Sequence, residues 1–194
     1  MKTKRMIVGI SGASGITYSI TLLKQLKKMD IESHLIMSKS AEITLAYESR
    51  MKVRDVQSLA DVVHNHTDIA ASISSGSYKT MGMIVAPCSI RTMSEIATGV
   101  TSSLMSRAAD VVLKEQRKLV LMVRETPLHS GHLRTMLQLS EMGAIIAPPV
   151  PAFYAQPESL EDIVNHSIGR VLDLFDLESN IKRWDQDGKQ RPQD

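Results

Sequence analysis

The chain has 194 residues, 43% of them hydrophobic, enough to bury a full core, and its length suits one domain over 1–194 better than two. Lysine and arginine number 23 against 21 aspartates and glutamates, too even a balance for a protein that tracks a nucleic-acid backbone. No apolar run reaches the roughly 20 residues of a membrane span, and a single cysteine, Cys88, rules out an intramolecular disulfide and fits a reducing compartment. A soluble, cytoplasmic protein with no nucleic-acid or membrane partner is expected.

The first five residues are basic, but the apolar stretch after them is broken by glycine and serine after five residues, which reads as a buried strand and not a signal peptide. Residues 6–10 are apolar on both alternations, as in a parallel strand covered on both faces. A small-residue loop follows at once, and then residues 16–29 place Ile16, Ile20, Leu23 and Leu22, Leu26, Met29 at helical spacing. The alternation repeats with a strand at 33–37, a helix at 41–48 and a less regular polar stretch through His66. A strand at 83–86 is expected to stop at Pro87. Helices at 91–97 and 104–115, a strand at 119–123, a helix at 132–142 and a strand at 144–147 follow. A proline-rich loop, 148–157, leads to a last amphipathic helix at 160–177, and the polar tail 185–194 is expected to fray. Strands alternating with helices predict an α/β fold, a three-layer parallel sheet with helices on both faces, whose ligands bind beyond the carboxyl ends of the strands.

The loop after the first strand is Gly9-Ile10-Ser11-Gly12-Ala13-Ser14-Gly15, whose small residues let backbone amides and hydroxyls approach a phosphate at a helix start. Its spacing is neither the G-x-G-x-x-G fingerprint nor a P-loop, and the second strand ends in Met37-Ser38-Lys39 without the acidic residue that holds an adenine-side ribose, so NAD is disfavoured. The loop after the third clear strand, Cys88-Ser89-Ile90-Arg91-Thr92, offers the same anion chemistry, with Cys88 read as small packing and not as a nucleophile. Arg107 and Lys114 fall on one helix face roughly 10 Å apart, able to flank an extended anion or simply to face solvent. Arg124 and Glu125 leave the next strand side by side at the ligand edge, and Glu125 is a proton-shuttle candidate or a shaper of the turn. Tyr154, beside Phe153, and Arg170 can hold a second phosphate, while Trp184 either caps the same pocket or pins the tail. His64 and His66 lack a partner at metal-binding spacing, so no metal is expected.

These residues, taken together, resemble the UbiX-like flavin prenyltransferases. The resemblance is carried in order by "GISGASG", "MSKSA", "SSGS", "APCSIRTMSEIATG", "SRAADVVLKEQRKLVLMVRETPL", "PAFYAQP", "GRVLDLF" and "KRW", over nearly the whole chain. It implies a flavodoxin-like or Rossmann-like, dodecamer-type homo-oligomer with active sites between subunits. The implied reaction joins a dimethylallyl group from dimethylallyl monophosphate to N5 and C6 of reduced FMN, and the prenylated FMN serves a UbiD-like aromatic acid decarboxylase. It further implies that FMN is held by Gly12, Ala13, Ser14, Ser38, Ser89, Ile90, Arg91, Thr92 and Arg124, with Trp184 beside the flavin. The prenyl phosphate falls to Lys114, Tyr154 and Arg170 with Arg107 close by, and Ser14, Glu48 and Glu125 match the catalytic positions. Glu48 is marked only by the resemblance. Ile16, Ser103 and Gly131 depart from the commoner pattern. The rival expectations are an FMN-dependent decarboxylase and a non-catalytic FMN-binding subunit of a decarboxylase complex.

Overall fold

The computed structural model describes residues 4–184. They form β1 (Arg5–Ile10), α1 (Ile16–Lys28), β2 (Glu32–Met37), α2 (Lys39–Glu48), α3 (Val53–Gln57), β3 (Val62–His64), β4 (Gly82–Cys88), α4 (Ile90–Ala97), α5 (Leu104–Lys114), β5 (Lys118–Val123), α6 (Ser130–Glu141), β6 (Ala144–Ile146) and α7 (Leu160–Asp173). The expected polar tail at 185–194 lies outside the described residues. All strand pairs are parallel, in the order β3-β2-β1-β4-β5-β6. This is the doubly wound Rossmann order, in which the winding reverses between β1 and β4 and opens a crevice at the carboxyl edge.

The chain divides into two compact units, Met1–Pro149 and Val150–Asp194. The first holds the whole sheet and α1 to α6. Residues 6–10 of β1 and all of β4 are buried, as strands covered on both faces must be. Helix α1 turns Ile16, Leu22, Leu23 and Leu26 inward, and burying each such side chain stabilises the fold by about 1.5–3 kcal/mol. The second unit holds α7, whose start is fixed by Ser159 and Asp162 in a reciprocal cap: Asp162 N donates to Ser159 Oγ at 3.1 Å and Ser159 N to Asp162 Oδ2 at 2.9 Å.

Three expectations change. Strand β4 continues through Pro87 to Cys88, and its pairing with β5 shifts register between Val85 and Cys88, an irregularity that absorbs a residue with no N–H to offer the ladder. The polar stretch before His66 contains β3, an edge strand paired to β2 over three residues and only partly covered, so it shows no apolar run to read. Helix α7 ends at Asp173 and not at Leu177, because Asp176 adopts a left-handed conformation (φ 57°) and Leu177 N turns back to Leu172 O.

Candidate active site

Three helices begin around one cavity at the carboxyl edge of the sheet, each capped by a serine. Ser38 Oγ accepts from Ala41 N at 3.1 Å at the start of α2, Ser89 Oγ from Thr92 N at 3.3 Å at α4, and Ser103 Oγ from Ser106 N at 3.3 Å at α5. The cavity, of about 570 Å³, is walled by Gly12, Ser38, Ser89, Arg91, Thr92 and Ser103 among others, within the roughly 300–1,000 Å³ usual for small-molecule sites. Helix starts carry unpaired N–H groups and the positive end of the dipole, and Lys39 and Arg91 add full charges, Arg91 paired at 2.9 Å with Glu95, which also lines the wall; the helix starts give the cavity donors suited to an anion. Ser11 locks two of the loops together: its hydroxyl donates to Pro87 O at 2.8 Å and accepts from Ser89 N at 2.7 Å. A side chain at Gly12 would strike Ser40, so only glycine lets the β1 loop lie against the start of α2.

The start of α1 is built differently. Gly15, at φ 113°, turns the chain into the helix, and its N–H and that of Ile16 donate to the Glu48 carboxylate at 2.9 and 3.0 Å. The Ser14 hydroxyl donates to the same carboxylate. Burial on its own would raise the Glu48 pKa, but the donors from Ser14, Gly15 and Ile16, with the Arg124 charge, together bring it below the ordinary value of 4.5. Arg124 also opposes the burial that raises the Tyr18 phenol. Its own backbone N donates to Cys88 O at 3.0 Å, fixing the exit of β5 beside that of β4. Of the glycine loop, Gly12 lines the cavity, while the two amides that open α1 belong to a carboxylate of the chain itself.

The other candidate residues fall as follows. Ala13 is buried, and Ile90 packs its side chain on the core, leaving its backbone to the loop. Glu125 is exposed, and its Oε1 accepts from Thr126 N at 3.0 Å, a local bond in the turn after β5. Arg107 pairs with Asp110 at 2.7 Å and Lys114 with Glu115, so each cation of the expected pair has a carboxylate neighbour. Neither lines the cavity, and Lys114 stands about 16 Å along α5 from Ser103, which does. In the second unit Tyr154 OH shares a hydrogen bond with His166 Nε2 at 3.2 Å, and the Trp184 ring meets the Tyr154 ring edge-on at 5.3 Å. Arg170 and Arg183 both bind Asp173, at 2.7 and 2.6 Å; the Arg183 hydrogen bond leads the effects that hold that carboxyl below its usual range.

Lys39, Ser40, His66, Thr67, Glu95 and Ser102 also wall the cavity, and the sequence reading assigned none of them to a ligand. His66 and Thr67 follow β3, so recognising that strand would have exposed them by the strand-end rule. His64 pairs with His34 at 2.9 Å, and among the described residues no group of three or more His, Cys, Asp or Glu gathers to hold a metal. Cys88 is fully buried, which pushes its thiol up to about 12 and leaves it unreactive, as expected of a packing residue.

Residues 1–172 match the family model described as Flavoprotein. The chain is 57% identical over 185 residues to flavin prenyltransferase UbiX of Escherichia coli strain K12, covering 93% of this chain and 98% of that protein. The chain belongs to the UbiX-like flavin prenyltransferase family. Among solved UbiX-like structures, AnUbiX (PadA1), in complex with FMN and dimethylallyl pyrophosphate, superposes with a TM-score of 0.92 at 49% identity, covering 93% of this chain and 97% of that one. The dodecameric FMN-dependent UbiX-like decarboxylase from Escherichia coli O157:H7 superposes with a TM-score of 0.91 at 52% identity, covering 93% and 98%. Family membership accounts for the ordered motifs, and the cavity at the β1/β4 reversal lies where a doubly wound sheet binds its ligand.

Proposed function

We propose that this protein is a flavin prenyltransferase that joins a dimethylallyl group to reduced FMN and passes the prenylated flavin to a UbiD-like decarboxylase of aromatic acids. The observation that carries this is the anion cavity at three helix starts, with the Ser14–Glu48–Arg124 group on the adjoining loops, in a chain of the UbiX-like family. The cavity fits FMN in volume and in donor chemistry. Ser38, Ser89, Thr92, Arg91 and the backbone of Ile90 are assigned to its phosphate; Gly12, Ala13, Ser14, Arg124 and Trp184 are assigned to the remainder.

Bound reduced FMN would supply two nucleophilic positions: N5, which takes the dimethylallyl carbon as its bond to phosphate oxygen breaks, and C6, which bonds the far alkene carbon as the alkene takes up a proton and C6 gives one up. Arg107, Lys114, Tyr154 and Arg170 are assigned to the departing phosphate, whose charge such donors stabilise without a divalent metal. The distance of Lys114 from the cavity of its own protomer supports a site completed by a second subunit, in keeping with the dodecameric relative. Glu48, kept ionised by its three donors, orients the Ser14 hydroxyl, and the exposed carboxylate of Glu125 accepts a proton displaced from the flavin ring.

A flavin-dependent decarboxylase is the second reading, favoured by the name of the O157:H7 neighbour. Anaerobic incubation with reduced FMN and dimethylallyl monophosphate, followed by mass spectrometry of the flavin, separates the two. The flavin mass is expected to rise by C5H8, one dimethylallyl group less a single hydrogen, with or without a chelator. An unshifted mass overturns the prenyltransferase; loss of the shift with chelator and its return with magnesium overturns metal independence. The pyrophosphate donor, run in parallel, defines the leaving group.

A further inference from the structure

We infer that His166 is a positioning residue for the proposed reaction: its imidazole N–H holds the Tyr154 hydroxyl by the oxygen and leaves the hydroxyl proton to the phosphate of the prenyl donor. The inference deepens the proposed function and rests on its assignment of Tyr154. His166 is buried on α7, and its Nε2 has two neighbours, Lys182 O at 3.1 Å and Tyr154 OH at 3.2 Å. The carbonyl decides the tautomer. A carbonyl oxygen can only accept, so the contact with Lys182 is a hydrogen bond only when Nε2 carries the proton. Nε2 then has no lone pair to offer, whether the ring is neutral or cationic, and Tyr154 cannot donate to it. The phenol oxygen instead accepts a share of the same N–H, and its own proton turns away from His166. Among the described residues the Tyr154 hydroxyl has no other hydrogen bond.

Tyr154 belongs to the 3-10 turn Phe153–Ala155, and two rings hold its own ring edge-on, His166 at 5.6 Å and Trp184 at 5.3 Å. Tyr154 is nevertheless 39% exposed, so the phenol stands fixed but open to a ligand. Accepting an N–H polarises a hydroxyl and strengthens it as a donor, and a phosphate oxygen is the kind of charged acceptor that rewards this most. The segment that carries Lys182 and Trp184 does not depend on the imidazole. Arg183 pairs with Asp173 of α7 at 2.6 Å, and a side chain on Gly169 would strike Ser179 and Ile181, so the segment lies directly against the helix there. Loss of the His166 N–H therefore releases the Tyr154 hydroxyl while the segment stays docked.

The test is a double-mutant cycle of Tyr154→Phe with His166→Phe, which keeps an aromatic ring and loses the N–H; His166→Leu takes its place if thermal melting shows that His166→Phe does not fold. Calorimetry reads the binding of dimethylallyl monophosphate to protein loaded with oxidised FMN, and steady-state kinetics with reduced FMN reads KM and kcat. Tyr154→Phe is expected to weaken the monophosphate about tenfold and His166→Phe about fivefold, with FMN affinity within about twofold. In the Tyr154→Phe background, His166→Phe should cost less than about 1.5-fold more, and His166→Gln, whose amide still donates, should recover most of the single-variant loss. An unchanged affinity in the folded His166 variant, or the same loss with and without the Tyr154 hydroxyl, overturns the assignment. A coupled cycle in binding without prenylated flavin from wild type sinks the prenyltransferase reading and leaves His166 standing; prenylated flavin with an additive cycle does the reverse. Wild type that binds no monophosphate overturns both.

Discussion

Helices α1 and α4 both begin at the carboxyl edge of the sheet, each after a loop of small residues, and the two starts are put to opposite use. At α4 the N–H groups and the Ser89 cap face a cavity. At α1 the Gly15 and Ile16 N–H groups are filled by the Glu48 carboxylate, delivered by the last residue of α2. A helix start attracts negative charge whatever its source. The same physics thus makes a ligand cradle in one place and, in the other, fixes an ionised side chain next to Ser14 and Arg124. The difference lies in whether the chain itself brings an anion to the spot.

Placing a carboxylate at the open start tests this contrast most severely. Ser89→Asp should lower FMN affinity by more than about 100-fold in fluorescence titrations, since like charges would meet at the phosphate. Glu125→Gln comes next: turnover to prenylated FMN should fall about 100-fold, the usual size of a lost general base, with FMN affinity within about twofold. Wholly lost flavin binding would mark Glu125 as structural. The smallest effect belongs to the filled start. Glu48→Gln should cost about 0.5–1 kcal/mol of stability at pH 7, discounted for the exposure of the side chain, and should change FMN affinity less than about threefold. The folded pKa of Glu48 lies below its ordinary value of 4.5, so its contribution is present above that value and is lost as the pH falls through the folded one. The gap in Tm between wild type and Glu48→Gln, measured from pH 7 down to about pH 3, should therefore close.

The layered fold was legible because long apolar strands and wide helical stripes carry their own period: β1, β5 and α1 fall where the pattern puts them, and β4 begins there before running on through Pro87. The edge strand β3 was not, since three half-covered residues repeat nothing. At the site, the loops at Gly12, Ser38 and Ser89 to Thr92 could be read because glycine, serine and arginine follow strands. Glu48 could not be read locally, because its partners lie 32 and 33 residues away and only the fold brings the end of α2 to the start of α1. His66 and Glu95 were hidden for different reasons, one behind an unrecognised strand and the other as half of an i,i+4 pair with Arg91 that reads as an ordinary surface pair. In a sequence, Arg107 and Lys114 show only their spacing; Asp110 and Glu115, which pair with them, look like ordinary surface charges.

A crystal structure of the FMN complex measures the contrast between the two helix starts directly. The expected result is a phosphate within hydrogen-bonding distance of Ser38, Ser89 and Thr92, with Glu48 still holding Gly15 and Ile16. A phosphate seated on the Gly15 and Ile16 amides, with Glu48 displaced, would contradict it.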